Sequence, residues 1–163
     1  MELVTFETSD GLSLDGAWYP NHGKHYGAII LHGKGQNFYS AVGRWLAPYL
    51  STLGISSLAI NMRDHDHREL SSVELADNDI AAAVNFLHEK GIDQFLLIAN
   101  SYGSNKAALF LSNEQVKNRM IGLVLLSAGG SKTDSPVLWK QVLENLREIL
   151  CPYWWFKQAP MNL

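Results

Sequence analysis

Four short runs dominated by apolar residues, separated by stretches of helical periodicity, limit what this chain can fold into. They are Tyr26–His32, Ile55–Ile60, Phe95–Ala99 and Ile121–Ser127. A strand with one wet face alternates apolar and polar residues. A strand that is apolar nearly throughout is covered on both faces, as in a parallel sheet flanked by helices. Between the runs, Ala41–Leu53 has helical periodicity and stops at Gly54, and Val73–Lys90 closes with Gly91 as its C′ residue. Tyr102–Leu111 is the helix after the third run. Ahead of them all, Leu3–Thr8 and Leu12–Tyr19 alternate around the turn Ser9-Asp10-Gly11, which reads as a β-hairpin. The order β-β-β-α-β-α-β-α-β describes an α/β fold: a mostly parallel, doubly wound sheet with an N-terminal antiparallel hairpin.

With 163 residues and 47% hydrophobic content, the chain is one domain in size and can fill one core. No repeat, low-complexity tract or linker divides it. The rhythm changes near residue 130, so residues 1–130 form the core and 131–163 a separate tail. Ser127–Asp134 reads as a loop and Pro136–Leu150 as an amphipathic helix. Pro152-Tyr153-Trp154-Trp155-Phe156 is an aromatic cluster, either the start of a cap or the apolar face of a chain that stops. Nothing after Ala128 reads as a sheet strand, so the fold is expected to be C-terminally incomplete. Ile121–Ser127 is then an uncovered edge, and with the aromatic cluster it predicts a homo-oligomer.

Partners and location follow from charge. A net charge of −3, from 13 basic and 16 acidic side chains, offers no footprint for nucleic acid. No polybasic cluster adjoins an apolar helix, and no apolar run approaches the roughly 20 residues that span a bilayer, so no membrane partner is expected. Met1–Phe6 is acidic and alternating, unlike a secretory signal. The single Cys151 cannot form an intrachain disulfide and suits a reducing compartment. The expectation is a cytoplasmic protein without metal or cofactor.

In an open α/β sheet, ligands bind beyond the carboxyl ends of the parallel strands. There, directly after the third apolar run, stands Ala99-Asn100-Ser101-Tyr102-Gly103. A small-x-Ser-x-small string joining a strand to a helix fits a turn too sharp for large neighbours, which presents a serine hydroxyl as a nucleophile. The helix N-terminus behind it favours developing negative charge. The first apolar run ends in His32-Gly33-Lys34-Gly35, whose glycines let backbone N–H groups face the same site.

With these two motifs the chain resembles the α/β-hydrolase family over about residues 1–130. The resemblance implies that Ser101 is the nucleophile and that the Lys34 and Tyr102 N–H groups form the oxyanion hole. Losing one such donor typically costs roughly 3–4 kcal/mol of barrier lowering. Asn61-Met62-Arg63-Asp64-His65 also resembles the family's Asp-x-Arg-Gly-x loop, with Asn for Asp and Asp for Gly. In that family an acid and then a histidine follow the serine. All six histidines here, His22, His25, His32, His65, His67 and His88, precede Ser101. A serine without a base is a poor nucleophile at neutral pH.

Each candidate has a plainer alternative. Ser101 could be an ordinary helix N-cap. His32 could pack under the oxyanion loop as a structural residue or serve as a surrogate base, with His65 and His67 as weaker substitutes. Asp134 could be the triad acid or a polar loop residue. Asp64-His65-Asp66-His67 could bind a metal or form a solvated loop, and the solvated loop is the reading adopted. The function expected is hydrolysis of a small-molecule acyl substrate: an ester, thioester or amide. The rivals are a non-catalytic homologue that binds a small molecule or a partner, and a fragment whose missing strands carry Asp and His.

Overall fold

Alternate residues of each apolar run face different helical layers. The structure, a computed structural model, describes residues 1–21, 25–68, 75–111 and 118–127, together with Lys140 and Glu144. In β3 (Tyr26–Leu31), Ile29 and Leu31 enter one apolar cluster while Ala28 and Ile30 enter another. In β4 (Ser56–Ile60), Leu58 and Ile60 part from Ala59 in the same way. In β5 (Gln94–Asn100), Phe95, Leu97 and Ala99 part from Leu96 and Ile98. The period of two that a strand imposes thus fills both faces. Fully burying one such aliphatic or aromatic side chain contributes about 1.5–3 kcal/mol.

The first cluster lies beneath α2 (Ala76–Glu89) and α3 (Tyr102–Phe110), and the second beneath α1 (Ala41–Thr52). β1 (Glu2–Glu7) and β2 (Ser13–Tyr19) form the antiparallel hairpin, and β6 (Met120–Leu126) ends the sheet of described strands. The strand order is β1-β2-β4-β3-β5-β6. β2 runs antiparallel to β4, whereas the β3–β4, β3–β5 and β5–β6 pairs are parallel. This is the expected mostly parallel α/β sheet with an N-terminal hairpin. The helix expected from Val73 is described from Ala76 onward. Asp134, most of the Pro136–Leu150 segment and the aromatic cluster lie outside the described residues.

One expectation is corrected. The polar loop expected over Asn61–Ser72, with the Asp64–His67 run inside it, is not solvated over residues 61–65. Asn61, Met62, Asp64 and His65 are buried, while Asp66, His67 and Arg68 are exposed. The segment continues from the carboxyl end of β4, and its charges meet partners from other elements. The Arg63 guanidinium binds Asp79 of α2 at 2.7 Å and Asp10 of the hairpin turn at 2.9 Å. Asp64 pairs with Lys106 of α3 at 2.5 Å. Burial of charge is tolerable only with such partners.

Candidate active site

β5 and α3 meet at one residue. Ser101 leaves the strand with φ +50° and ψ −120°, a region where side chains other than glycine are rare. Its N–H donates to the Leu126 carbonyl at 2.8 Å, and its carbonyl accepts the Ser104 N–H at 2.9 Å. The side chain is exposed and makes no hydrogen bond that caps the helix. The plainer reading of Ser101 as a side-chain N-cap therefore lacks its defining contact.

The turn is tight because its neighbours are small. A β-carbon on Gly103 would stand 2.5 Å from the His32 carbonyl oxygen, so α3 abuts the end of β3 as only glycine allows. A β-carbon on Gly33 would lie 3.3 Å from the Ser101 β-carbon, which puts the loop after β3 against the serine. That loop is closed by the Gln36 N–H donating to the Gly33 carbonyl at 3.1 Å. The Gln36 side chain accepts from the Gly33 N–H at 3.1 Å and from Asn100, beside the serine, at 3.4 Å. Lys34 and Tyr102, the two residues expected to donate amides, flank this junction. The Lys34 ammonium lies 5.6 Å from the centre of the Tyr102 ring. Tyr102 is the first residue of α3, directly after Ser101.

His32 is buried, and backbone groups engage both of its ring nitrogens. Nε2 accepts the Met62 N–H at 3.0 Å, which places the ring proton on Nδ1, where it donates to the Gly33 carbonyl at 2.7 Å. Burial holds its pKa below the usual histidine value, against the pull of the Gly33 carbonyl and Asp64. These contacts leave no ring nitrogen for a serine proton.

The segment after β4 rims the same loop. Asn61 accepts the Phe38 N–H at 2.8 Å, and the Asp66 N–H donates to the Gln36 carbonyl at 3.1 Å. The Asp66 carboxylate takes hydrogen bonds from Asn37 and His65, and these hold its pKa below the usual carboxylate value, the His65 bond first. The His67 ring lies where a Gly35 β-carbon would be, so Gly35, at φ +63°, is needed twice over. Among the described residues, no three metal-binding side chains converge. No helix among them is long and apolar enough to cross a membrane.

Reading the sequence missed Gln36 and Lys106, and met Asp64 only within the Asn61–His65 and Asp64–His67 motifs. Gln36 sits one residue past the glycine-rich motif and could have been included. The pairing of Asp64 with Lys106 left no local sign.

Residues 29–157 match the sequence pattern of the alpha/beta hydrolase fold. The chain belongs to that family. No curated protein matches the chain. Solved structures of the same fold include an esterase of Pyrococcus furiosus, 24% identical with a TM-score of 0.64 over 74% of this chain and 49% of its own. An α/β hydrolase of a Penicillium species is 20% identical with a TM-score of 0.71, over 90% of this chain and 52% of its own. A dienelactone hydrolase of Anabaena variabilis is 18% identical with a TM-score of 0.66, over 76% and 61%. The chain thus spans about half the length of the esterase and of the Penicillium hydrolase.

Proposed function

We propose that the protein acts on a small acyl substrate, an ester, thioester or amide, with Ser101 as nucleophile. The observation that carries this reading is the left-handed backbone of Ser101 at the strand-to-helix turn, pressed against Gly33. Strain of this kind costs about 1–3 kcal/mol and collects where a reactive group must be presented. The serine hydroxyl attacks the acyl carbon and gives its proton to solvent water, while the carbonyl electrons move onto oxygen. The Lys34 and Tyr102 amides stabilise that oxyanion, aided by the positive end of α3. Collapse of the adduct expels the alcohol, thiol or amine, which takes a proton from water. A second water then releases the acyl group as the acid and restores the serine. His32 orients the loop that carries Lys34. The names of the esterase and dienelactone hydrolase neighbours agree with acyl chemistry.

Within these 163 residues no histidine follows Ser101, and both nitrogens of His32 are occupied. The chain by itself is therefore expected to bind and polarise an acyl group but to turn it over slowly. Oxyanion stabilisation and binding alone give roughly 10³–10⁴-fold over water. The experiment is labelling by a fluorophosphonate, alongside hydrolysis of an activated short-chain ester, in wild type, Ser101→Ala and His32→Ala. Labelling and slow turnover that both vanish in Ser101→Ala support the reading. Turnover indifferent to Ser101→Ala would favour a binding module instead. Vigorous turnover lost in His32→Ala would mean that His32 is the base after all.

A further inference from the structure

Lys106 is an unusual residue for its place. It sits in the middle of α3, buried, on the helix that begins at the nucleophile turn, and burial lowers its pKa. Its ammonium reaches three groups: the Asp64 carboxylate at 2.5 Å, the Met62 sulfur at 3.9 Å and the Tyr102 ring at 5.5 Å from the centroid. Asp64 stands where the Asp-x-Arg-Gly-x pattern has glycine, so this chain has a buried acid against a buried base. The Asp64 carboxylate is held by the Lys106 ammonium, which donates to it.

We propose that the Asp64–Lys106 pair is a positioning device that locks the loop after β3 to α3 and so sets the spacing of the Lys34 and Tyr102 amides. The inference rests on the acyl-hydrolase reading for the role of those amides. The mechanical path is continuous. Residues 61–67 hold the loop at four places: Met62 on His32, Asn61 on Phe38, Asp66 on Gln36 and His67 on Gly35. The same segment is held to α3 by Asp64, and the ammonium that holds it also faces the Tyr102 ring. Stability alone does not call for such a pair, because a buried ion pair is often no better than apolar residues of equal volume. Its geometry is what apolar residues cannot copy.

The test separates position from stability. Lys106→Met and Asp64→Leu each strand one buried charge. The double variant Asp64→Leu/Lys106→Met removes both and is expected to melt near wild type. In all three, the Phe38 and Met62 amides should exchange with solvent about tenfold faster than in wild type. Ser101 labelling by a fluorophosphonate should slow by about tenfold, since small misplacement of a site is costly. If the single variants fail to fold, the double variant decides. A double variant with wild-type melting, exchange and labelling would overturn the proposal, as would faster exchange with unchanged labelling. A wild type that does not label at Ser101 would sink the acyl-hydrolase reading, and with it the role given to the two amides. Amide exchange would then still decide whether the pair locks the loop.

Discussion

Ser101 carries a β-carbon where the backbone favours none, at φ +50° and ψ −120°. Replacing it with glycine removes that strain at the cost of more freedom in the unfolded chain. Ser101→Gly should therefore raise stability by about 1 kcal/mol while abolishing labelling. At an unstrained exposed position the same change would lower stability. Denaturant midpoints settle the sign, and a destabilised variant would remove the strain argument. His32 gives a second prediction at this scale. Its folded-state pKa is depressed, first by burial, so the unfolded chain binds the proton more readily. Stability is then greatest above the unfolded value near 6.5 and falls as pH drops below it. Between pH 7 and 5, His32→Gln should flatten this slope while costing about 1–2 kcal/mol in lost hydrogen bonds. An unchanged slope in urea titrations would assign the acid sensitivity to other groups. Ser101, Lys34 and Tyr102 could be singled out from sequence because each belongs to a local turn motif. Asp64 and Lys106 could not, because their meaning lies in each other across the fold.

Gly103 ties two elements together. Alanine normally stabilises a helix by up to about 1 kcal/mol over glycine. Here its β-carbon would stand 2.5 Å from the His32 carbonyl oxygen, and backbone is the obstacle. Gly103→Ala should therefore reverse the usual sign, cost about 2 kcal/mol and slow Ser101 labelling by shifting the loop after β3. Thermal melts check the first claim, and a stabilised variant would refute it. The strands and helices were readable because periods of 2 and 3.6 are written within a few residues. The stretch from Asn61 was misread because its burial depends on Asp10 in the hairpin turn, Asp79 in α2 and Lys106 in α3. Arg63 and Asp64 together show the mechanism: three elements distant in sequence converge to neutralise one polar run. A window along the chain registers polarity there, but not its partners.

At the scale of the molecule, the two faces of the sheet are covered unequally. α2 and α3 lie over one, whereas α1 is the described helix over the other. The outer side of α1 leaves Trp45 at 69% and Tyr49 at 59% exposed, beside a shallow apolar groove lined by Val42, Trp45, Leu46 and Tyr49. None of these residues belongs to the Ser101 site. Arg44 stacks on both Tyr39 and Trp45, at 5.0 and 4.8 Å from the ring centres. Arg, Trp and Tyr are the residues that most often anchor protein interfaces. At the sheet's end β6 is paired on one side among the described strands, with Ile121 and Val124 exposed. Among the described residues, two separate surfaces thus carry exposed apolar side chains. The 163-residue chain should show a mean mass that rises with concentration in sedimentation. The variants apportion the cause. Trp45→Lys should weaken association about tenfold if the α1 face carries it, and Val124→Lys should do so if strands pair at β6, since a lysine on an edge strand discourages pairing. Neither change should affect Ser101 labelling, because neither residue touches the turn at Ser101. A clean monomer at high concentration would show that both surfaces, for all their apolar area, remain simply wet.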